Sequence, residues 1–567
     1  MLSELSFGIV GGTALYGVLR AARSRLILSR AKHPSLAGHA RWSRRFSKLV
    51  PWYDYGATGF FRSDDAPADV AAIRAAAFER LAVRCATRWP KSTAALAELE
   101  PSIPDIRFTS RYRVPFQFRE AVRQRLKTGC VFQRSEGNRL IDLDGNASYD
   151  LAGSYGVNLF GNDFYKGCIE RGAARVTDLG PVLGVYHPLM ADILVRLRAI
   201  SGMEDFSFHM SGTEAVMQAV RLARYHTDRR HVVRFCGAYH GWWGDVQPGV
   251  GNPQVARDTY TLRDMHARSL KVLETRNDIA CVLVNPLQAL HPNANAPADN
   301  TLIAGMRCAG FDRAAYAAWL RSLRDVCTRR GIVLIFDEVF VGFRLGKGGA
   351  QAYFGVRADL VTYGKTLGGG LPVGVVAGSS RLMQRYREDR PADICFARGT
   401  FAGHPYVLGA MHEFLLFLDT EDARRLYEGL DERWDARADA LNARLAEASL
   451  SVRVANLGSI WTVCYTAPSR YNWMLQYYLR LEGLHLPWIG TGRFIFSLDY
   501  SDEDFAAVCD RFMAAALSMQ ADGWWWRDAG LTEKSIKRRV LAELRQSWWR
   551  ACIGSISSPR RSASGAR

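Results

Sequence analysis

In the stretch "LVTYGKTLGGGLPVGVVAG", Leu360 to Gly378, a single lysine, Lys365, follows a strand-like apolar run and precedes three glycines. A lysine at a strand end attacks a carbonyl once burial or a nearby cation lowers its pKa, because only the neutral amine is nucleophilic. The glycines let backbone pass close to whatever the amine holds. Taken alone, the residue also reads as an ordinary surface-loop lysine. Upstream, "GIVLIFDEVFVGFR" carries an apolar run from Ile332 to Phe336 and then Asp337. Asp337 stands at the carboxyl end of a buried strand, where open α/β sheets place their ligand sites. Its plain alternatives are a helix cap or an arginine partner.

A third element is "SFHMSGTEAVMQAVRLAR". Ser211 and Glu214 have the spacing of a capping box, so Ser211, Gly212 and Thr213 open a helix. Such a start offers free N–H groups, a hydroxyl and the positive dipole end to a phosphate. In "FCGAYHGWWGD", Tyr239 and His240 follow another strand. An aromatic there serves either as core packing or as a cover over a flat cofactor.

The elements that must position these residues are legible from their periodicity. Between about Phe206 and Ser379, the runs "HVVRFC", "IACVLVN", "GIVLIFD", "DLVTY" and "VGVVAG" are short, rich in branched residues and bounded by Gly or Pro. The segment from Phe311 to Gly331 reads as an amphipathic helix between two of them. This alternation predicts an α/β domain with a mainly parallel sheet covered by helices. Ahead of it, Gly137 to Gly161 alternates around Asp144, Gly145 and Asn146 as a hairpin does. The expected organisation is a basic N-terminal extension over 1–110, with a helix from Pro67 to about Trp89. The N-terminal part of a small domain over 111–205 comes next, then a large domain over 206–405. The C-terminal part of the small α+β domain, 406–530, and a basic tail over 531–567 complete it, the tail being disordered after Gly554.

Composition bounds the partners. The chain has 567 residues, 48% of them hydrophobic, and can bury a large core in two or more domains. Its 11 cysteines form no CxxC pair, which argues against a disulfide framework and a zinc site and for a reducing, cytoplasmic compartment. The net charge of +18 gathers at the ends: nine Lys and Arg against Glu4 in residues 1–50, and nine against Glu533 and Glu543 in 531–567. Basic ends attract acidic proteins, anionic lipid or nucleic acid, or are simply solvated. No nucleic-acid module accompanies them, so nucleic acid is set aside. The uncharged run from Leu5 to Leu19 is short for a membrane span and follows Glu4, where a secretory signal would carry positive charge. An interfacial helix and a helix packed on the protein's own core both remain open, so contact with a membrane surface through the N-terminus is one expectation.

Together, the ordered set SGTEA, YHG, FDEV, YGK with its glycines, and "GTFAGHP" resembles the class III pyridoxal-phosphate-dependent aminotransferases, in the branch of glutamate-1-semialdehyde aminomutase. The resemblance runs from about Gly137 to Phe512. It implies the fold-type I architecture: a large domain with a mostly parallel seven-stranded sheet, a small domain built from both chain ends, and a homodimer with active sites at the subunit interface. It implies pyridoxal 5'-phosphate as cofactor, with no metal, and an amine donor and a carbonyl acceptor as substrates. By the same resemblance, Lys365 is the lysine that joins the cofactor covalently and moves the substrate proton. Asp337 pairs with the ring nitrogen, while Ser211, Gly212 and Thr213 hold the phosphate. Tyr239 and His240 lie beside the ring, Val339 packs its other face, and Thr400 reaches the phosphate of the neighbouring subunit. Arginine could not replace Lys365, because it stays protonated.

Two positions depart from the family pattern: Met210 where asparagine is common, and Asn285-Pro286 where Glu-Pro is usual. The resemblance leaves several reactions open, chiefly amino transfer between two substrates and intramolecular transfer as in the aminomutase. "GTFAGHP", with Phe401 and His404, resembles the aminotransferases of polyketide and nonribosomal peptide assembly. With the basic ends, it points to an acyl substrate on an acidic carrier protein. A reading from another class is a non-catalytic scaffold or membrane-surface protein on the same fold, against which Lys365, Asp337 and the phosphate elements stand together. Arg493 is a further candidate, for a substrate carboxylate.

Overall fold

The computed structural model describes residues 2–129, 131–255, 257–290, 306–487 and 492–557. At its centre is a seven-stranded sheet. Its strands are β1 (Asp205–His209), β2 (His231–Phe235), β3 (Thr259–Leu262), β4 (Ile279–Val284), β5 (Val333–Asp337), β6 (Leu360–Gly364) and β7 (Gly374–Gly378). Across the sheet they lie in the order β1-β7-β6-β5-β4-β2-β3. Strand β7 is antiparallel to both its neighbours, and the pairs from β6 through β3 are parallel.

The continuous apolar runs exist because both faces of this sheet are covered. Alternate residues go to different cores. Cys281, Leu283, Val333 and Ile335 pack with Ala215, Ala219 and Leu222 of the helix Gly212–Thr227. Val282, Val284, Leu334 and Phe336 face the opposite layer, which holds Tyr316, Trp319 and Leu320 of the helix Arg313–Arg330. That helix begins at Asp312, whose carboxylate accepts from the Ala315 N–H, and ends at Gly331 with φ +58°. Strands β1 and β3 were not among the runs read from sequence. "DFSFH" and "TYTL" are polar at alternate positions because they edge the sheet.

Both flanks of the central segment build the smaller body. The hairpin of Arg139–Asp142 with Ala147–Asp150 turns at Asp144 and Gly145, and Leu484 pairs in parallel with Tyr149. The Ile495 N–H donates to Leu151 O at 2.9 Å. Strands Val452–Leu457, Ile460–Tyr465 and Phe494–Ile495 form a three-stranded sheet, where Trp461 and the adjoining Phe496 pack, edge-on or tilted, with Trp434 and Phe505.

The N-terminal residues do not stand apart from this core. Helix Ala68–Arg88 buries Phe78, Leu81 and Cys85, and Phe60 packs on Phe118 and Trp473. Asp64 and Arg74 make a two-point ion pair at 2.8 Å with both side chains fully buried. Helix Glu533–Ser557 docks Ile536, Val540 and Leu544 on Val50, Tyr53 and Phe116. The serine- and arginine-rich residues from 558 onward lie outside the described residues. The nine described cysteines are all free.

Candidate active site

Asp337 ends β5 and Lys365 follows the last residue of the adjacent strand β6, so sheet register brings them to one edge. Asp337 is 3% exposed. Its Oδ1 accepts from the Val339 N–H and from the Thr362 hydroxyl, each at 3.2 Å, and its Oδ2 lies 2.8 Å from His240 Nδ1. Burial holds the His240 pKa below its ordinary value, so the ring is neutral near pH 7 and donates its Nδ1–H to Asp337. The carboxylate is thus held in place by donors on three elements.

Lys365 takes the left-handed conformation, with φ +49°, a strained state for a non-glycine residue. Burial lowers its pKa; the Asp337 carboxylate opposes that shift, and the Arg344 guanidinium adds to it. Its ammonium group sits 5.2 Å from the centre of the Phe340 ring. Arg344 is itself buried, and donates to Phe496 O at 2.9 Å and to Asn158 O. It ties both flanks of the chain beneath the lysine.

The helix Gly212–Thr227 opens as its capping residues predict. Ser211 Oγ accepts from the Glu214 N–H at 3.2 Å, and Glu214 Oε2 accepts from the Met210 N–H at 2.9 Å. The N–H groups of Gly212 and Thr213 lie in the first turn, where no intrahelical acceptor exists. Two glycines press the neighbouring loops against this turn. A Cβ on Gly212 would fall 2.6 Å from Val339 Cγ1, and one on Gly241 would fall 2.6 Å from Thr213 Oγ1. The loop carrying Tyr239 and His240 is clipped from below: Asn285 Nδ2 donates to Tyr239 O at 3.1 Å, and Gln288 Nε2 to Cys236 O at 2.7 Å.

These groups face one cavity of about 520 Å³. Lys365, Asp337, Ser211, Gly212, Thr213, Tyr239, His240 and Val339 all line it. Thr400 does not: it is exposed, on a loop outside this cavity. Arg493 also lines the cavity, and desolvation there lowers its pKa only to about 10, so it stays charged near pH 7. Among the described residues, no group of three His, Cys, Asp or Glu is placed to hold a metal ion.

Sequence reasoning missed three contributors. Thr362 is the register partner of Asp337, which only strand pairing reveals. Phe340 packs under the lysine. Gly156, with φ +99°, brings a flanking loop so close that a Cβ there would lie 2.6 Å from the Phe340 ring and 3.3 Å from Lys365 Cδ. The glycine density of "LAGSYGVNLFG" was the available signal.

The aminotransferase class-III family model matches residues 121–516. A glutamate-1-semialdehyde 2,1-aminomutase of Desulfotalea psychrophila is 33% identical over 376 residues, covering 62% of this chain and 81% of that one. One from Nitratidesulfovibrio vulgaris is 32% identical over 402 residues, covering 66% and 89%. Among solved structures, a transaminase with PLP bound is 25% identical at a TM-score of 0.61, covering 81% of this chain and 99% of that one. The fold is also that of a glutamate-1-semialdehyde aminomutase from Pseudomonas aeruginosa PAO1, at 20% identity and a TM-score of 0.63, covering 79% and 99%. The seven-stranded sheet, the cavity at its strand ends and the family match over residues 121–516 agree: the chain belongs to the class-III aminotransferases, enzymes that work with pyridoxal 5'-phosphate.

Proposed function

We propose that this chain transfers an amino group between an amine donor and an aldehyde or ketone acceptor. The observation that carries the reading is the convergence of Lys365 and Asp337, from the ends of adjacent strands, on one cavity rimmed by a helix N-terminus. The residues fit the cofactor. Asp337 is a buried acceptor fixed by three donors, suited to a protonated ring nitrogen. Gly212 and Gly241 leave a cradle at the helix start that a Cβ would fill, and Ser211 and Thr213 add hydroxyls to its free N–H groups. When bound, pyridoxal 5'-phosphate supplies a carbonyl that takes up an amine and a ring that draws off the electron pair left on the substrate carbon.

The protein supplies the rest. Lys365, with its pKa lowered by burial, would hold the cofactor through Nζ, and as a free amine the same Nζ would be the group that carries the substrate proton. Asp337 keeps the ring nitrogen protonated, and neutral His240 and Thr362 keep Asp337 aimed. Tyr239 and Val339, both lining the cavity, would hold the flat ring between them. Thr400, exposed and outside this cavity, is available to the second copy of a homodimer. Arg493 is the cation in the cavity suited to a substrate carboxylate.

Intramolecular transfer, the activity named for the aminomutase relatives, is the second reading and is supported by their 32–33% identity. A panel of amines and amino acids offered with a separate keto acid distinguishes the two. Product formed from two substrates supports intermolecular transfer. Turnover of glutamate 1-semialdehyde alone, with no exchange into the keto acid, would replace it with the second reading, and turnover of neither would refute the proposal.

A further inference from the structure

Among its described side chains, those of residues 15–31, the helix Leu2–Ala31 is anchored at its C-terminal end. Ser24, Ile27, Leu28 and Ala31, spaced as one helical face, turn toward the body. Ser24 Oγ accepts from Arg276 at 3.2 Å, and Ala31 O accepts from the Arg263 N–H at 2.9 Å. Ahead of that anchor, Leu15, Tyr16, Val18 and Leu19 are all exposed. Of the run from Leu5 to Leu19, the side chains of 5–14 lie outside the described residues, and those of 15–19 face water rather than the protein's own core. Among the described residues, no helix is long and apolar enough to cross a membrane.

The next helix, Ala40–Ser47, divides into three stripes. Ala40 and Ser43 face the loop at Gly249, where an added Cβ would lie 3.2 Å from Ser43 Oγ, and Arg44 donates to Pro253 O at 2.7 Å. Arg41, Arg44, Arg45 and Lys48, at i, i+3, i+4 and i+7, form a basic stripe. With Val255 and Arg257 they border a depression of about 670 Å³ whose lining has no acidic residue. Among the described residues, none of these five cations has an ion-pair partner. The third stripe is apolar and faces water: Trp42 at 63% exposed, Phe46, and Leu49 at 64%. Trp52 extends it. Its carbonyl accepts from Ser547 Oγ at 3.3 Å, which brings the exposed Trp548 and Trp549 of the C-terminal helix near.

We infer that this N-terminal face docks on a bilayer surface containing anionic lipid. An exposed apolar stripe beside a basic one, with tryptophans along it, matches the boundary between headgroups and acyl chains. The other occupants fit less of it. At a two-fold contact with a second copy, the basic stripe would meet itself. An acidic protein would neutralise the basic stripe but leave the adjoining Trp42, Phe46 and Leu49 in water. The inference does not depend on what the cavity turns over.

The test is co-sedimentation of the full chain, loaded with pyridoxal 5'-phosphate, with phosphatidylcholine vesicles made with or without phosphatidylglycerol. The expected result is that wild type sediments with the phosphatidylglycerol vesicles and is released by salt. Arg41→Glu with Arg45→Glu should weaken that partitioning more than about tenfold, as should Trp42→Ser with Phe46→Ser, both keeping the cofactor absorbance. These side chains are solvent-exposed or border the surface depression, so the retained absorbance shows that the fold survives. Wild type left in the supernatant, or variants that sediment unchanged, would overturn the inference. So would a higher oligomer, or a complex with an acidic carrier protein, that forms in the absence of vesicles, is abolished by the same substitutions and leaves vesicle binding undetectable.

Discussion

Each side chain at the cavity is held by a contact that decides what it can do. Thr213 sits in a first helical turn, where its own N–H has no intrahelical acceptor, and its hydroxyl lies where a Cβ on Gly241 would meet it at 2.6 Å. A hydrogen bond from a hydroxyl to a charged group contributes about 1.5–3 kcal/mol. Thr213→Val should therefore weaken retention of the cofactor by about 10- to 100-fold, read as the absorbance that survives dialysis, while the fold is unchanged. Loss no larger than that of a distant surface variant would place the phosphate elsewhere. Asp264 shows the same logic away from the cavity. It is buried, its Oδ1 accepts from its neighbour's N–H at 3.0 Å, and its Oδ2 has no partner among the described residues. Burial pushes its pKa up to about 7. A carboxyl raised in the folded state keeps its full contribution below its unfolded pKa, near 4, and loses it as pH rises through the folded value. Stability should fall between about pH 4 and pH 7, at no more than about 1.4 kcal/mol per unit from this group. Asp264→Asn should remove that fall: its melting temperature should gain on wild type as pH rises through this window and keep a constant lead above it. A lead that does not change with pH would show that Asp264 is ionised throughout.

At the level of elements, the site depends on strand ends, and those were the most legible part. The apolar runs ending at Asp337 and ahead of Lys365 stand out because strands covered on both faces lose their polar alternation. The helix start at Ser211 was legible from its capping residues. The edge strands β1 and β3, the reversal of β7 and the Thr362 contact were not, since each is decided by which strand lies beside which. The N-terminal residues read as an appendage because basic and aromatic patches have no period. Their role rests on long-range contacts such as those of Arg74, which pairs with Asp64, donates to Gly523 O and Phe61 O, each at 2.9 Å, and lies 4.4 Å from the Tyr471 ring centre. Removing one partner of a buried ion pair costs about 3–5 kcal/mol. Arg74→Ala should lower stability by that amount in chemical unfolding, and a change under about 1 kcal/mol would show that the extension is not integral to the core.

The whole molecule places a cavity between a parallel sheet and a body made from both flanks of the chain. Arg344 spans the two through Asn158 O and Phe496 O. The family model matches residues 121–516, and the basic, aromatic N-terminal face lies ahead of that span. The measurement to make first is the absorbance spectrum of the purified chain with pyridoxal 5'-phosphate, before and after borohydride, followed by peptide mapping, beside Lys365→Ala. A visible band that borohydride converts into a stable cofactor adduct on the peptide containing Lys365, absent in the variant, is the expected result. A chain that takes up no cofactor, or carries it on another lysine, would contradict the assignment of this cavity as the active site.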